Sequence, residues 1–461
     1  MAKEEVIDGR WWIHGRDSDP RVGTFTYGSD RGFSLTVKVP QSAPASEVLG
    51  SFEDARQASV PSVIVGRDAH DKPVTLFGCH NSPQVSGGMK TYRIDVLAAI
   101  QGLELRAWTQ EAIRAIAVDI DLLHRWLGGR IIERIKAREG QSCWKIPDEK
   151  DSIYDVCPGV RLRIVRFIAP SSSQDEERWV PGHRIWLHFE EAQSLRQLTD
   201  NWLPWIRRLF SLLVGTSVAS TRIECFIGDP YSDDADVPTE GILLRPTGKR
   251  RIRVRDPHIY EMLAPFPEVE NQFAQIVQKW HEVARRLEPV VDLFCTVVFN
   301  QSFHAEAEFL FLVQALEVYH ARTFVSTTLP TKEHAERVNA VIAGTPPELK
   351  QWVTRKLQGA NYKTLDERIS ELFTAHSTDA QRLFGEIAEL PERIRYTRNH
   401  LTHYSGNTTS PKYLKEHELL EVTWRLEGFI WMCLLTEIGV SGRPIEKLIR
   451  READVRIVML D

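Results

Sequence analysis

What this 461-residue chain lacks narrows its chemistry before any motif is considered. Its six cysteines (Cys79, Cys143, Cys157, Cys225, Cys295, Cys433) are scattered, with no two close in sequence. That spacing excludes a zinc framework and a disulfide-stapled scaffold, and it suits a reducing cytoplasm. No stretch approaches the roughly 18 consecutive apolar residues that a membrane-spanning helix needs. The polar start Met1-Ala-Lys-Glu-Glu-Val6 has no signal-peptide core, so a soluble cytoplasmic protein without a membrane partner is expected. There is no G-x-x-x-x-G-K-[ST] phosphate loop, no H-E-x-x-H zinc helix and no G-x-S-x-G elbow; neither metal nor nucleotide cofactor is expected. An excess of positive charge is missing too. Lys and Arg number 58 against 63 Asp and Glu, a net charge of −5, so any contact with nucleic acid must come from a local patch. Repeats and low-complexity tracts are absent.

What is present is ample core material, 42% hydrophobic and 26% charged residues over a length that fits two or three domains. Residues 9–40 alternate with period two around Gly28-Ser-Asp-Arg-Gly32, which predicts a hairpin. A second pair is expected at Val60–Gly66 and Pro73–Phe77, with a further strand from Tyr92. Ile113, Ile116, Ile120, Leu123 and Trp126 fall on one stripe and predict a helix over 109–127. Strands are expected again at 160–168 and 184–189, with Pro170–Gln174 as a loop between them. A helix is expected over 191–213. Beyond about residue 290 the texture is helix after helix, each with its own punctuation: Gly344, Pro346-Pro347, the capping box Thr364-Leu-Asp-Glu367, Pro391, and Gly439. The expected fold class is multidomain α+β, a β-rich mixed region at 1–288 with a subdomain split near 128–160, followed by an all-α bundle at 289–461.

Two polar clusters stand out. Lys249–Arg255 alternates, placing Arg251, Arg253 and Arg255 on one strand face, either to track a nucleic-acid backbone or as a solvated face paired with acids. The other is Arg395-Tyr-Thr-Arg-Asn-His-Leu-Thr-His-Tyr404. On a helix Arg395, Asn399 and His403 lie at i, i+4 and i+8 and form one stripe, with Arg398 beside it. Arginine stays protonated and grips phosphate oxygens; histidine, with an ordinary pKa of about 6.5, gives or takes a proton near neutrality. That combination suits phosphodiester cleavage of RNA, in which the 2′-hydroxyl loses a proton and the leaving 5′-oxygen gains one. Arg395 and His400 make a competing pair in the same stretch. Within the segment Phe303–Arg322, apolar almost all round, Glu317 is an exception beyond the first turn, a carboxylate that either faces solvent or is met by a cation such as Arg398.

Arg398-Asn399-x-x-x-His403 resembles the R-x(4–6)-H signature of HEPN ribonucleases, with Asn directly after Arg. Gly9-x-Trp11-Trp12, Gly23-Thr-Phe-Thr-Tyr27 and Ile64-Val-Gly-x(7)-Val-Thr-Leu76 resemble, in order and spacing, the N-terminal domain of ApeA-type abortive-infection proteins. Leu312-Val-Gln-Ala-Leu-Glu-Val-Tyr319 belongs to the matching C-terminal HEPN-like domain. The resemblance implies a bacterial antiphage protein that acts in the cytoplasm. It further implies a homodimer paired through the HEPN domain, or a higher oligomer, with Arg398, Asn399 and His403 of each protomer forming a metal-independent endoribonuclease site, and tRNA among its RNA substrates. The N-terminal domain would sense an unknown phage trigger. The alternative is a HEPN dimer that binds RNA or a nucleotide without cutting. For Trp11 and Trp12 the choice lies between core packing and base stacking, with packing the expected role.

Overall fold

In the computed structural model of the chain, the described residues are 5–15, 20–28, 32–39, 62–82, 90–128, 133–136, 142–145, 152–173, 176–228, 230, 239–244, 256–300, 304–404, 409–440 and 444–449. They fall into two compact units, Met1–Phe210 with Val218–Lys249, and Ser211–Ser217 with Arg250–Asp461.

The first unit is built from antiparallel strands. β1 (Glu5–Ile13), β2 (Arg21–Gly28), β3 (Gly32–Val39), β4 (Ser62–Asp68), β5 (Pro73–Ser82) and β6 (Lys90–Val96) close into a six-stranded barrel in the order β5-β4-β1-β2-β3-β6, with β6 returning to β5. Alternation drives this closure. In β3, Phe33, Leu35 and Val37 are buried while the residues between them are only half-buried, the two-residue period of a sheet with one face on a core. Trp11, Phe25, Ile64, Val74 and Leu76 join them inside. The Trp11 indole N–H donates to the Gly23 carbonyl at 3.0 Å, and its ring lies so close over Gly66 that a Cβ there would stand 2.3 Å from it. Trp11 is therefore a core residue.

β5 serves two neighbours along one edge. Val74–Phe77 pairs with β7 (Ala98–Gln101), whereas His80–Ser82 pairs with β6. Between the two segments Gly78 has φ +62°, a conformation that a side chain disfavours, and the turn lets the barrel close while the sheet continues outward. From β7 the sheet runs through β15 (Thr239–Leu244), β14 (Ser220–Ile227), β8 (Glu111–Ile120), β13 (Glu176–Ser194) and β12 (Val160–Ser173) to β11 (Ser152–Cys157). A separate two-stranded pair joins β9 (Glu133–Lys136) to β10 (Ser142–Lys145).

Two expectations are corrected here. The helix expected at 109–127 is mostly β8; only Leu123–Trp126 is helical. β8 lies between β13 and β14 and is buried on both faces from Ala115 to Val118, so this apolar run has no alternation to mark it as a strand. Its β-branched Ile113, Ile116, Val118 and Ile120 were the better indicator. The loop expected at Pro170 is part of β12. Pro170 pairs opposite Trp179, and β11 covers β12 only from Val160 to Ile164. Among the described residues no strand pairs with the other edge of β12 at Pro170, and at such an edge proline is tolerated.

His124 and His183 meet in this unit with their Nδ1 atoms 3.2 Å apart. Burial, with the charges of His124 and Arg166 adding to it, pushes the His183 imidazole down to about 4. Burial, then Arg125, lowers His124. Above the ordinary value of 6.5 the imidazole of His183 is neutral in folded and unfolded chains alike. Below it the unfolded chain takes up a proton that the folded unit refuses. Stability therefore falls as pH drops from 6.5 to about 4 and levels off beneath that. The urea midpoint of the wild type, measured across this range, is expected to track that fall. His183→Gln is expected to flatten it, and an equal slope in the variant would assign the acid sensitivity elsewhere.

A helix, α1 (Leu203–Val214), precedes β14. The second unit is helical: α2 (Phe273–Arg286), α3 (Glu288–Phe299), α4 (Ala305–Thr323), α5 (Thr331–Ala343), α6 (Lys350–Leu357), α7 (Leu365–Ala375), α8 (Ser377–Phe384), α9 (Leu390–His403) and α10 (Glu416–Glu437). α4, apolar around most of its circumference, packs against α3, α7, α9 and α10 and is the centre of the bundle. Phe429 of α10 is fully buried against Phe373, Phe384 and the ring of His376. The expected capping box opens α7, Thr364 bonding with Glu367, and Gly439 with φ +83° closes α10. Among the described residues no helix is long and apolar enough to cross a membrane.

Candidate active site

α9 begins with Pro391 in its first turn, where a missing N–H costs nothing. Its inner face is Leu390, Ile394 and Thr397, all buried, and the Thr397 hydroxyl accepts the Leu414 N–H at 2.9 Å. That fixes the roll of the helix. With 100° per residue, Arg395, Asn399 and His403 face away from the core, and Arg398 sits at the flank between the two faces. The helix stops at Tyr404, which adopts φ +49° and donates its N–H to the His400 carbonyl at 2.6 Å.

Arg398 is half-buried. Its Nη2 lies 3.7 Å from Glu317 Oε2, and its Nη1 donates to Asn399 Oδ1 at 3.2 Å. The other oxygen of Glu317 lies 3.5 Å from Arg368 Nη1. One carboxylate on α4 thus stands between two guanidinium groups, one from α7 and one from α9. Two positive charges share one negative charge, so the trio keeps a net positive charge. Arg395 differs. It pairs with Asp366 at 3.2 Å and Glu392 at 3.8 Å, and Glu392 also holds Lys412 at 2.6 Å. Two cations meet two carboxylates there, and the charge is balanced. The excess of positive charge is at Arg398 and Arg368, not at Arg395.

The two histidines separate in the same way. The His400 ring stands edge-on to Tyr413, centroids 4.9 Å apart, a packed position. His403 is exposed and makes no hydrogen bond or ion pair to any described residue. A free imidazole one helical turn from Asn399 can carry a proton to or from a bound molecule; one committed to packing cannot. Glu317 is partly exposed yet paired, so both of its sequence alternatives hold in part. Arg251, Arg253 and Arg255 lie outside the described residues.

Sequence reasoning missed Arg368 and Asp366. The capping box located their helix, but nothing local says which residue of a distant helix each would meet. It also missed His320, fully buried on α4, whose Nε2 is 2.7 Å from Glu371, with Lys363 at 2.5 Å from the same carboxylate. Lys363, then His320, holds the Glu371 carboxyl below its usual range. Among the described residues no group of three or more metal-ligating side chains is drawn together.

Two family models match the chain: ApeA N-terminal domain 1 over residues 6–280 and Apea-like HEPN over residues 310–443. No curated protein and no solved structure matches it.

Proposed function

The chain belongs to the ApeA family of antiphage proteins that carry a HEPN domain, and from that premise we propose that it is an endoribonuclease whose chemistry is run by Arg398, Asn399 and His403. The observation that carries the reading is the contrast on one helix between a free His403 and a guanidinium, Arg398, whose charge is only partly cancelled.

His403 takes the proton of an RNA 2′-hydroxyl as the oxygen attacks the adjacent phosphorus. The phosphorus–5′-oxygen bond breaks, and the departing oxygen receives a proton, leaving a 2′,3′-cyclic phosphate and a 5′-hydroxyl. Arg398 stabilises the charge that builds on the phosphate oxygens, the term that commonly contributes most. Glu317, shared with Arg368, aims Arg398 and prevents it from folding back onto the helix. Asn399 supports Arg398 through its side-chain oxygen. A homodimer through the helical unit would bring a second His403 into the same cleft, so that one imidazole serves as base and the other as acid. The β-rich unit would hold the nuclease in check until a phage component arrives.

The test is cleavage of total tRNA and of a single-stranded RNA in EDTA, with end-group analysis. Cyclic-phosphate ends formed in EDTA are expected, because neither proton transfer needs a metal. Cleavage that EDTA abolishes, or that leaves 3′-hydroxyl ends, would sink the mechanism. RNA binding with no cleavage, even with extract of infected cells added, would favour the non-cutting binder.

A further inference from the structure

Between α4 and α7 the chain makes a helical hairpin, α5 and α6, that contributes nothing to the core. Neither helix has a buried residue. The two lie against each other, with Val353 and Leu357 of α6 only half-exposed. Turned away from those residues, at i, i+3 and i+4, are Trp352, Arg355 and Lys356. Trp352 is 55% exposed, and Arg355 and Lys356 are exposed as well. A solvated surface helix ordinarily interleaves its cations with carboxylates. The sequence of α6, Lys-Gln-Trp-Val-Thr-Arg-Lys-Leu, has three cations and no acid. None of the three is ion-paired among the described residues, in a chain whose net charge is −5.

The hairpin is rooted beside the candidate site. At its stem Asn361 clamps Leu329 from both sides, accepting its N–H at 2.9 Å and donating to its carbonyl at 3.0 Å. Lys363 donates its backbone N–H to Ser326, and its ammonium reaches Glu371, which holds His320. His320 follows Glu317 by one helical turn on α4, a rise of about 4.5 Å. The arm therefore springs from the level of the Glu317–Arg398 pair, and α5, at 1.5 Å per residue, gives it a reach of about 20 Å.

We propose that Trp352, Arg355 and Lys356 form a docking site for single-stranded RNA, outside the Arg398–His403 stretch and feeding it. An exposed indole flanked by unpaired cations is the chemistry that holds an unstacked base between neighbouring phosphates. Protein interfaces favour tryptophan too, but they are depleted in lysine, and a face on which Arg355 and Lys356 outweigh Glu348, exposed four residues before Trp352, keeps a positive balance that favours a polyanion. The choice of RNA over DNA rests on the ribonuclease reading; the docking itself does not.

The probe is a short fluorescein-labelled oligouridine, titrated by anisotropy into the full chain in a His403→Ala background that does not consume it. Trp352→Ala is expected to weaken binding by about tenfold, the loss of one stacked base. Arg355→Glu with Lys356→Glu is expected to weaken it at least as much. The plot of log affinity against log salt should also become shallower by about 1.4, roughly 0.7 for each of two phosphates that the chain no longer neutralises. With His403 restored, the same substitutions should raise KM and leave kcat unchanged. These side chains are exposed, so the variants should keep the wild-type far-UV spectrum. Wild-type affinity and salt slope in both variants would overturn the proposal. Unchanged RNA affinity with altered sedimentation would assign the face to a second copy of the chain, which also overturns it. If the wild type cuts no RNA yet the variants bind it more weakly, the ribonuclease reading fails and the docking site stands.

Discussion

His403→Ala is expected to reduce RNA cleavage by about a hundred- to ten-thousand-fold, the usual contribution of a positioned acid or base, while leaving the chain folded. Exposure and the absence of partners carry both halves of that expectation. A surface side chain bonded to nothing described costs within about 0.5 kcal/mol when truncated, so a loss of activity cannot be a loss of structure. His400→Ala is the matched control. Its ring packs on Tyr413, so its removal should lower thermal stability and spare most of the cleavage. Arg398→Ala should also be inactive, with little change in stability. Glu317 would still have Arg368, and a half-exposed ion pair contributes at most about 1 kcal/mol. The reverse pattern, an active His403→Ala and an inactive, folded His400→Ala, would move the site to the Arg395–His400 pair.

Trp11→Ala is expected to destabilise the β-barrel by about 3–5 kcal/mol, a large share of the 5–15 kcal/mol that a domain usually has. Trp11 is fully buried. Its removal opens a cavity between Gly66 and Phe25 and leaves the Gly23 carbonyl without the indole N–H. Trp11→Phe should recover most of the packing but not the hydrogen bond, a deficit of about 1 kcal/mol. Urea unfolding followed by far-UV circular dichroism reads both. A Trp11→Ala midpoint equal to the wild type would mean that the ring does not pack the barrel. Any RNA-binding defect in this variant should be no larger than its loss of folded protein, because a ring with no exposed surface stacks on no base.

Much of the molecule was legible in the residues. The β2–β3 hairpin followed from alternation around Gly28–Gly32, and the capping box at Thr364 and the start of α9 at Pro391 fell where expected. The failures share a cause. In β8 the run Ala115–Val118 is apolar and buried on both faces, and a run with no polar face has no period to read. α5 and α6 were legible as helices, but not as a hairpin without a core face, since the period of their apolar residues does not say whether a core lies against them. In the candidate site the sequence marked Arg398, Asn399 and His403 and left the rank of Arg395 and His400 open. The partners that set them apart are Asp366, Glu392 and Tyr413, brought in from other elements or from a turn away.

By itself, then, the sequence determined the class of the two units, the helix that carries the candidate chemistry and the face on which its polar groups lie. These depend on short-range causes: period, caps and the fixed φ of proline. Only the tertiary structure decided that the barrel closes through β6 onto β5, that Glu317 is shared by Arg368 and Arg398, that Arg395 is neutralised, and that His403 rather than His400 is free. Each of these depends on a contact with a segment distant in the chain, Asp366 for Arg395 and Tyr413 for His400 among them, where the energy depends on which groups packing has brought together, and no local pattern records that.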